Sequence, residues 1–144
     1  MTITPDQARK TMDNYIKAWG SNDKALLLSL FTEDAILEDP VGTPAFKGSE
    51  GVAKFWDVAH MEVDRQLSPK FEEIRVCADQ AIFRFTMQVR IPSKNQGLDL
   101  SIQEHITFAD DGRIRHLRAF WDETSVGKPD GMDLFIPNID QAYE

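Results

Sequence analysis

The segment from Leu98 to Phe108 sets the tightest limit on the fold. Leu98, Leu100, Ile102, Ile106 and Phe108 alternate with Asp99, Ser101, Gln103, His105 and Thr107, and a period of two held this long is a strand with one buried face. The alternation has one chemical exception, because Glu104 falls in the apolar set. In the next run, Arg113 to Asp122, the residues of inward parity are Leu117, Ala119 and Trp121. A hairpin through Asp110-Asp111-Gly112 therefore surrounds the carboxyl with hydrocarbon and an indole. A carboxyl so placed is expected to have a raised pKa and to keep its proton, since desolvation disfavours the anion. Two plainer arrangements would also accommodate it: an ion pair with a buried arginine, or a pocket mouth in water.

Two further runs, Phe71 to Cys77 and Ala81 to Ile91, complete a meander of four strands. The N-terminal part reads differently. Ala8, Met12, Tyr15, Ile16 and Trp19 have helical spacing, with a capping box at Thr4 and Gln7 and Pro5 in the first turn, so a first helix ends near Gly20. Ser21 and Asn22 offer the N-cap of a second helix through Leu26, Leu27, Leu30 and Phe31. Ala35 to Asp39 alternates as a short strand that Pro40 ends, placing Asp39 at its tip on the side of Ala35 and Leu37. After a Pro- and Gly-containing loop, Ser49 is the expected cap of a third helix holding Val52, Ala53, Phe55 and Trp56 and ending near His60. Helices first and a meander last is an α+β domain. Residues 1–144 read as one domain, with a core over 1–126 and a tail over 127–144 whose Leu134, Phe135 and Ile136 are expected to dock on the domain or on a partner subunit.

Charge and cysteine content narrow the function classes. Asp and Glu exceed Lys and Arg by 24 to 16, a net charge of −8 with no basic run, which disfavours binding to a phosphate backbone. The single Cys77 allows neither an intrachain disulfide nor a cysteine-based zinc cage. No apolar run approaches the roughly 20 residues of a membrane span, and the first residues lack the pattern of a signal peptide, so a cytoplasmic location is expected. His105 and His116 share outward parity on hairpin partners, but with no third ligand beside them no metal site is assigned.

Tyr15, Asp39 and Glu104 all have inward parity. A phenol, an ionised carboxylate at a strand end and a neutral carboxylic acid make two hydrogen-bond donors and one base, a set suited to proton transfer next to a carbonyl.

The segments Leu37-Glu38-Asp39-Pro40-Val41-Gly42, Phe46-Lys47-Gly48 and Phe108-Ala109-Asp110-Asp111-Gly112-Arg113-Ile114, leading to Ala119-Phe120-Trp121, resemble the bacterial Δ5-3-ketosteroid isomerases of the NTF2-like (SnoaL-like) superfamily, over about Met12 to Glu123. The resemblance implies a cone: a strongly curved antiparallel sheet whose deep pocket is closed by three N-terminal helices. It matches the family's catalytic tyrosine to Tyr15, its general base to Asp39 and its oxyanion-hole acid to Glu104, where this chain has Glu in place of Asp. Two tyrosines that support the catalytic tyrosine in some members fall on Phe31 and Trp56, so the hydrogen-bonded chain behind Tyr15 is expected to be lost.

The implied reaction is allylic isomerisation without a cofactor. Asp39 removes a proton α to a ketone, Tyr15 and Glu104 stabilise the dienolate, and Asp39 returns the proton two carbons away; a carboxylic acid kept neutral for this purpose is the known ketosteroid isomerase pattern. Phe31, Phe46, Phe55, Trp56, Phe85, Met87 and Trp121 are the candidates to line an apolar pocket for a flat polycyclic substrate. A polyketide cyclase or epoxide hydrolase using the same cavity, and a binding module for a hydrophobic small molecule, stay open as alternatives. The outward face bearing Ile114, His116, Arg118 and Phe120 beside His105 is expected to form a homodimer.

Overall fold

A computed structural model describes residues 3–61 and 64–134. Helix α1 (Pro5–Gly20) starts where the capping chemistry places it: Gln7 N–H donates to Thr4 Oγ1 at 3.2 Å, and Thr4 N–H donates to Gln7 Oε1 at 2.7 Å. It buries Ala8, Met12, Tyr15, Ala18 and Trp19 along one stripe. Helix α2 (Lys24–Ser29) is capped by Asp23, whose side chain accepts from Leu26 N–H. It is shorter than the periodicity suggests. Phe31 opens strand β1 (Phe31–Glu38), because the backbone there pairs with a strand from the far end of the chain.

Strand β2 (Phe46–Lys47) pairs with β1 and runs straight into helix α3 (Gly48–Ala59). Ser49 therefore lies inside the helix, and Lys47 occupies the N-cap without a side-chain hydrogen bond. Gly51 lets α3 approach β2 closely, since a Cβ there would stand 2.8 Å from the carbonyl carbon of Phe46. The remaining strands are β3 (Gln66–Cys77), β4 (Gln80–Ile91), β5 (Gln96–Phe108) and β6 (Ile114–Phe120), followed by two short strands, β7 (Val126–Gly127) and β8 (Asp133–Leu134).

The sheet is curved and unclosed, with the order β2-β1-β6-β5-β4-β3 and with β7 and β8 pairing β5 beyond the end of β6. It is mixed rather than antiparallel: β1 runs parallel to β6, and β8 parallel to β5. Parity assigns a side chain to a face but carries no information about which strand lies alongside or in which direction. Leu134 pairs with Gly97 of β5 and keeps 40% of its surface exposed; Phe135 and Ile136 lie outside the described residues.

One face of the sheet packs against α1. Leu98, Leu100, Ile102, Glu104, Ile106 and Phe108 are all buried on it, as their alternation predicts. The hairpin turn after β5 closes with Ala109 and Arg113 paired and Gly112 at φ +88°, a conformation that favours glycine. A register shift follows. Phe108 pairs with Ile114 but Thr107 pairs with His116, so an extra residue bulges between them and reverses parity. Ile114 is consequently in the core and not on the outer face. The same register sets His116 opposite Thr107 and His105 opposite Arg118, and the two rings bond elsewhere, to Glu38 and Gln80 respectively.

Candidate active site

Glu104 lies in the middle of a cross-sheet row, with Phe83 of β4 on one side and Ala119 of β6 on the other. It is 1% exposed, and no arginine pairs with it among the described residues: its Oε2 accepts a hydrogen bond from the Tyr15 hydroxyl at 3.0 Å, and its Oε1 has no partner there. An ionised carboxylate in this position would cost several kcal/mol. Burial, followed by the nearby negative charge of Asp39, holds the Glu104 carboxyl well above the usual carboxylate range. The Tyr15 hydrogen bond works in the opposite direction without prevailing. The surroundings of Glu104 thus favour the neutral acid, with one oxygen accepting from Tyr15 and the other without a partner among the described residues.

The α1 stripe brings Tyr15 to this acid. Its ring sits edge-on to Phe83 and Phe85, each with centroids 6.2 Å away, and the residue is 2% exposed. Burial, then the charges of Glu104 and Asp39, push the phenol pKa well above 10, so Tyr15 is a donor throughout the neutral range.

Asp39 follows β1 directly, before a cis peptide bond to Pro40. Val41 N–H donates to Ala119 O at 2.9 Å, which ties the segment after Asp39 to the strand beside Glu104. Trp121 Nε1–H donates to Asp39 Oδ1 at 2.6 Å, and no hydrogen bond engages Oδ2 among the described residues. Desolvation raises the Asp39 pKa to about 6 against the smaller lowering effect of Trp121. The two carboxyls therefore differ, Asp39 ionising near 6 and Glu104 held toward its neutral form by burial, with a phenol donor beside the second. The arrangement can take a proton from carbon while hydrogen-bonding the oxygen on which negative charge develops.

The seven aromatic and aliphatic candidates divide. Phe85 touches the Tyr15 ring, and Trp121 bonds the Asp39 carboxylate. Trp56 stacks on Trp19, while Phe55 lies edge-on to both Trp19 and Phe46. Met87 opposes Leu100, and Phe31 opposes Ile114 at the Phe108 end of the sheet, so these two bracket the Glu104 row from opposite ends. Phe83, the direct neighbour of Glu104, is absent from the sequence-derived set although it shares inward parity with Phe85 and Met87.

A SnoaL-like domain profile matches residues 12–117, most of the chain. The chain belongs to the SnoaL-like domain family. Within that NTF2-like group, steroid Delta-isomerase of Nocardioides simplex is 27% identical to this SnoaL-like protein over 115 residues, which span 80% of this chain and 89% of the isomerase. Among solved structures, the epoxide hydrolase/cyclase-like enzyme SalBIII, which has a role in pyran ring formation in the polyether salinomycin, aligns with a TM-score of 0.74 at 18% identity. The alignment covers 86% of this SnoaL-like protein and 97% of the other chain, a likeness of fold alone. No helix among the described residues is long and apolar enough to cross a membrane.

Proposed function

We propose that this SnoaL-like protein is an isomerase that moves a C=C bond in a 3-ketosteroid or a similar hydrophobic ketone through a dienolate. The observation that carries the reading is the pairing of a base whose pKa is raised to about 6 with a buried neutral acid already bonded to a phenol. Asp39 Oδ2 takes the α proton, and the electrons move onto the ketone oxygen. That oxygen accepts from Glu104 Oε1–H and from the Tyr15 hydroxyl, which turns from Glu104 to the ligand. Asp39 then delivers its proton two carbons away, the ketone re-forms, and the double bond has moved with no net change in atoms or electrons.

The relation to an enzyme acting on steroids supports the choice of substrate class. The test is turnover of a 5-ene-3-ketosteroid, followed by the ultraviolet absorption of the conjugated product. No rate above buffer would overturn the assignment. Where turnover is found, kcat/KM is expected to rise with pH through a midpoint near 6, as Asp39 ionises.

A second reading, opening of an epoxide ring, draws on the likeness to SalBIII and on the unpartnered Oε1 of Glu104. That proton would pass to the epoxide oxygen while Asp39 accepts the proton of the attacking hydroxyl. Turnover of an epoxide with no effect on the ketosteroid would select it.

The proposal includes a homodimer through the outer sheet face. Ile36, Ile82 and Phe120 are exposed there, the Arg118 guanidinium lies 5.5 Å from the centre of the Phe120 ring, and His116 and Arg118 both bond Glu38 Oε2, at 2.8 and 3.0 Å. Light scattering at micromolar concentration is expected to give twice the chain mass, and Phe120→Glu to shift it to the monomer.

A further inference from the structure

Tyr15 and Trp19 lie one turn apart on α1, with ring centroids 6.2 Å apart and planes at 73°. Trp19 is held rigidly. Its ring stacks on Trp56 at 4.7 Å and 20°, lies parallel to His60 at 5.8 Å and meets the edge of Phe55 at 5.8 Å. Yet its indole Nε1–H is buried and meets no acceptor at full hydrogen-bond geometry among the described residues, although it already acts on the Tyr15 phenol. A buried donor left unpaired is costly, and when its ring is locked by packing it points to a state in which an acceptor is present.

The Trp19 ring meets the Tyr15 ring edge-on, and its N–H acts on the phenol. Glu104 and Asp39 both oppose negative charge on the phenol oxygen, whereas the Trp19 N–H favours it. In the free protein the Tyr15 proton is engaged by Glu104. When a ligand oxygen takes up that proton's hydrogen bond and begins to draw it away, electron density builds on the Tyr15 oxygen, and a neighbouring donor that turns to it strengthens the bond in front.

We infer that Trp19 is a positioning residue, whose Nε1–H donates to the Tyr15 oxygen when Tyr15 donates to a ligand oxygen, so that the donor chain runs from Trp19 through Tyr15 to the ligand. The isomerase reading enters only in naming that ligand as a ketone becoming a dienolate.

The chain has two tyrosines, so a Tyr143→Phe background leaves Tyr15 alone, and 3-fluorotyrosine in its place brings ionisation into an accessible range. Two changes at position 19 are compared: Trp19→Phe, and benzothienylalanine, which keeps the bicyclic shape but carries sulfur in place of N–H. Both are expected to raise the tyrosine pKa by about one unit. An unchanged pKa in the benzothienylalanine protein, whose packing is preserved, overturns the inference even if Trp19→Phe folds poorly. With a 5-ene-3-ketosteroid, the same isostere is expected to lower kcat by about tenfold, with KM changed by less than about twofold. A raised KM at unchanged kcat would place the N–H on the substrate and overturn the role assigned. Absence of turnover in the wild type would defeat the isomerase reading, and the fluorotyrosine titration would still decide the inference.

Discussion

Asp39→Asn is expected to lower isomerisation of a 5-ene-3-ketosteroid by on the order of 10² to 10⁴ in kcat while leaving the affinity for a planar steroid nearly unchanged. The amide cannot abstract a proton, but it keeps the shape of the site and an oxygen for Trp121 Nε1–H. Apolar burial of a ring system, which supplies most ground-state affinity, does not involve the base. The same substitution should stabilise the fold. Because the folded-state pKa of Asp39 is raised from 3.8 to about 6, its contribution to stability is complete below the lower value and is lost as pH rises through the higher one. Above neutrality the ionised carboxylate therefore costs at most about 3 kcal/mol. The melting temperature of Asp39→Asn should exceed that of the wild type at about pH 8, and the difference should shrink as pH falls through 6. Wild-type rates in Asp39→Asn would place the base elsewhere, and an equal melting temperature at high pH would mean that the carboxylate is better solvated than its surroundings indicate.

The second large effect belongs to Glu104. Glu104→Leu removes the acid and leaves the buried Tyr15 hydroxyl without its acceptor, and a loss of on the order of 10² to 10³ in kcat is expected, the usual loss for one oxyanion donor. Glu104→Gln keeps a carbonyl for Tyr15 and an N–H where Oε1–H was, so it should retain part of the activity. Difference infrared spectra of wild type against Glu104→Gln should show the carbonyl stretch of a protonated acid at neutral pH. An ionised Glu104, with equal activities for the two variants, would leave Tyr15 as the sole donor and make residue 104 a structural position.

Much of this site is legible in the chain. Alternation alone puts Glu104 among Ile102, Ile106, Leu117 and Ala119, and helical spacing turns Tyr15 inward; both residues are buried and bonded to each other. Alternation is legible because solvent and core impose it on each strand separately. What depends on relations between strands is not. The parallel pairing of β1 with β6 joins distant segments, and the bulge that turns Ile114 inward appears only when Phe108 and Thr107 are set against their partners. Phe83 has the parity that marks Phe85 and Met87, but its place beside Glu104 is a matter of register. The Trp19 N–H gives no sign in sequence, because a tryptophan on an apolar stripe satisfies the pattern whichever way its nitrogen points.

The alignment of β1 beside β6 bears on how the protein comes into being. Leu37 meets Leu117 across that pair, and Asp39 follows at once. The β3 to β6 meander can form by successive local hairpins and carries Glu104, but the base joins only when nearly the whole chain has closed into a loop, an event whose entropic cost slows folding. Before that closure Glu104 has an apolar sheet around it and no Asp39 near it. The cluster of Tyr15, Asp39 and Glu104 is therefore expected to be completed only with the sheet as a whole, and to be absent from any fragment that ends before β6.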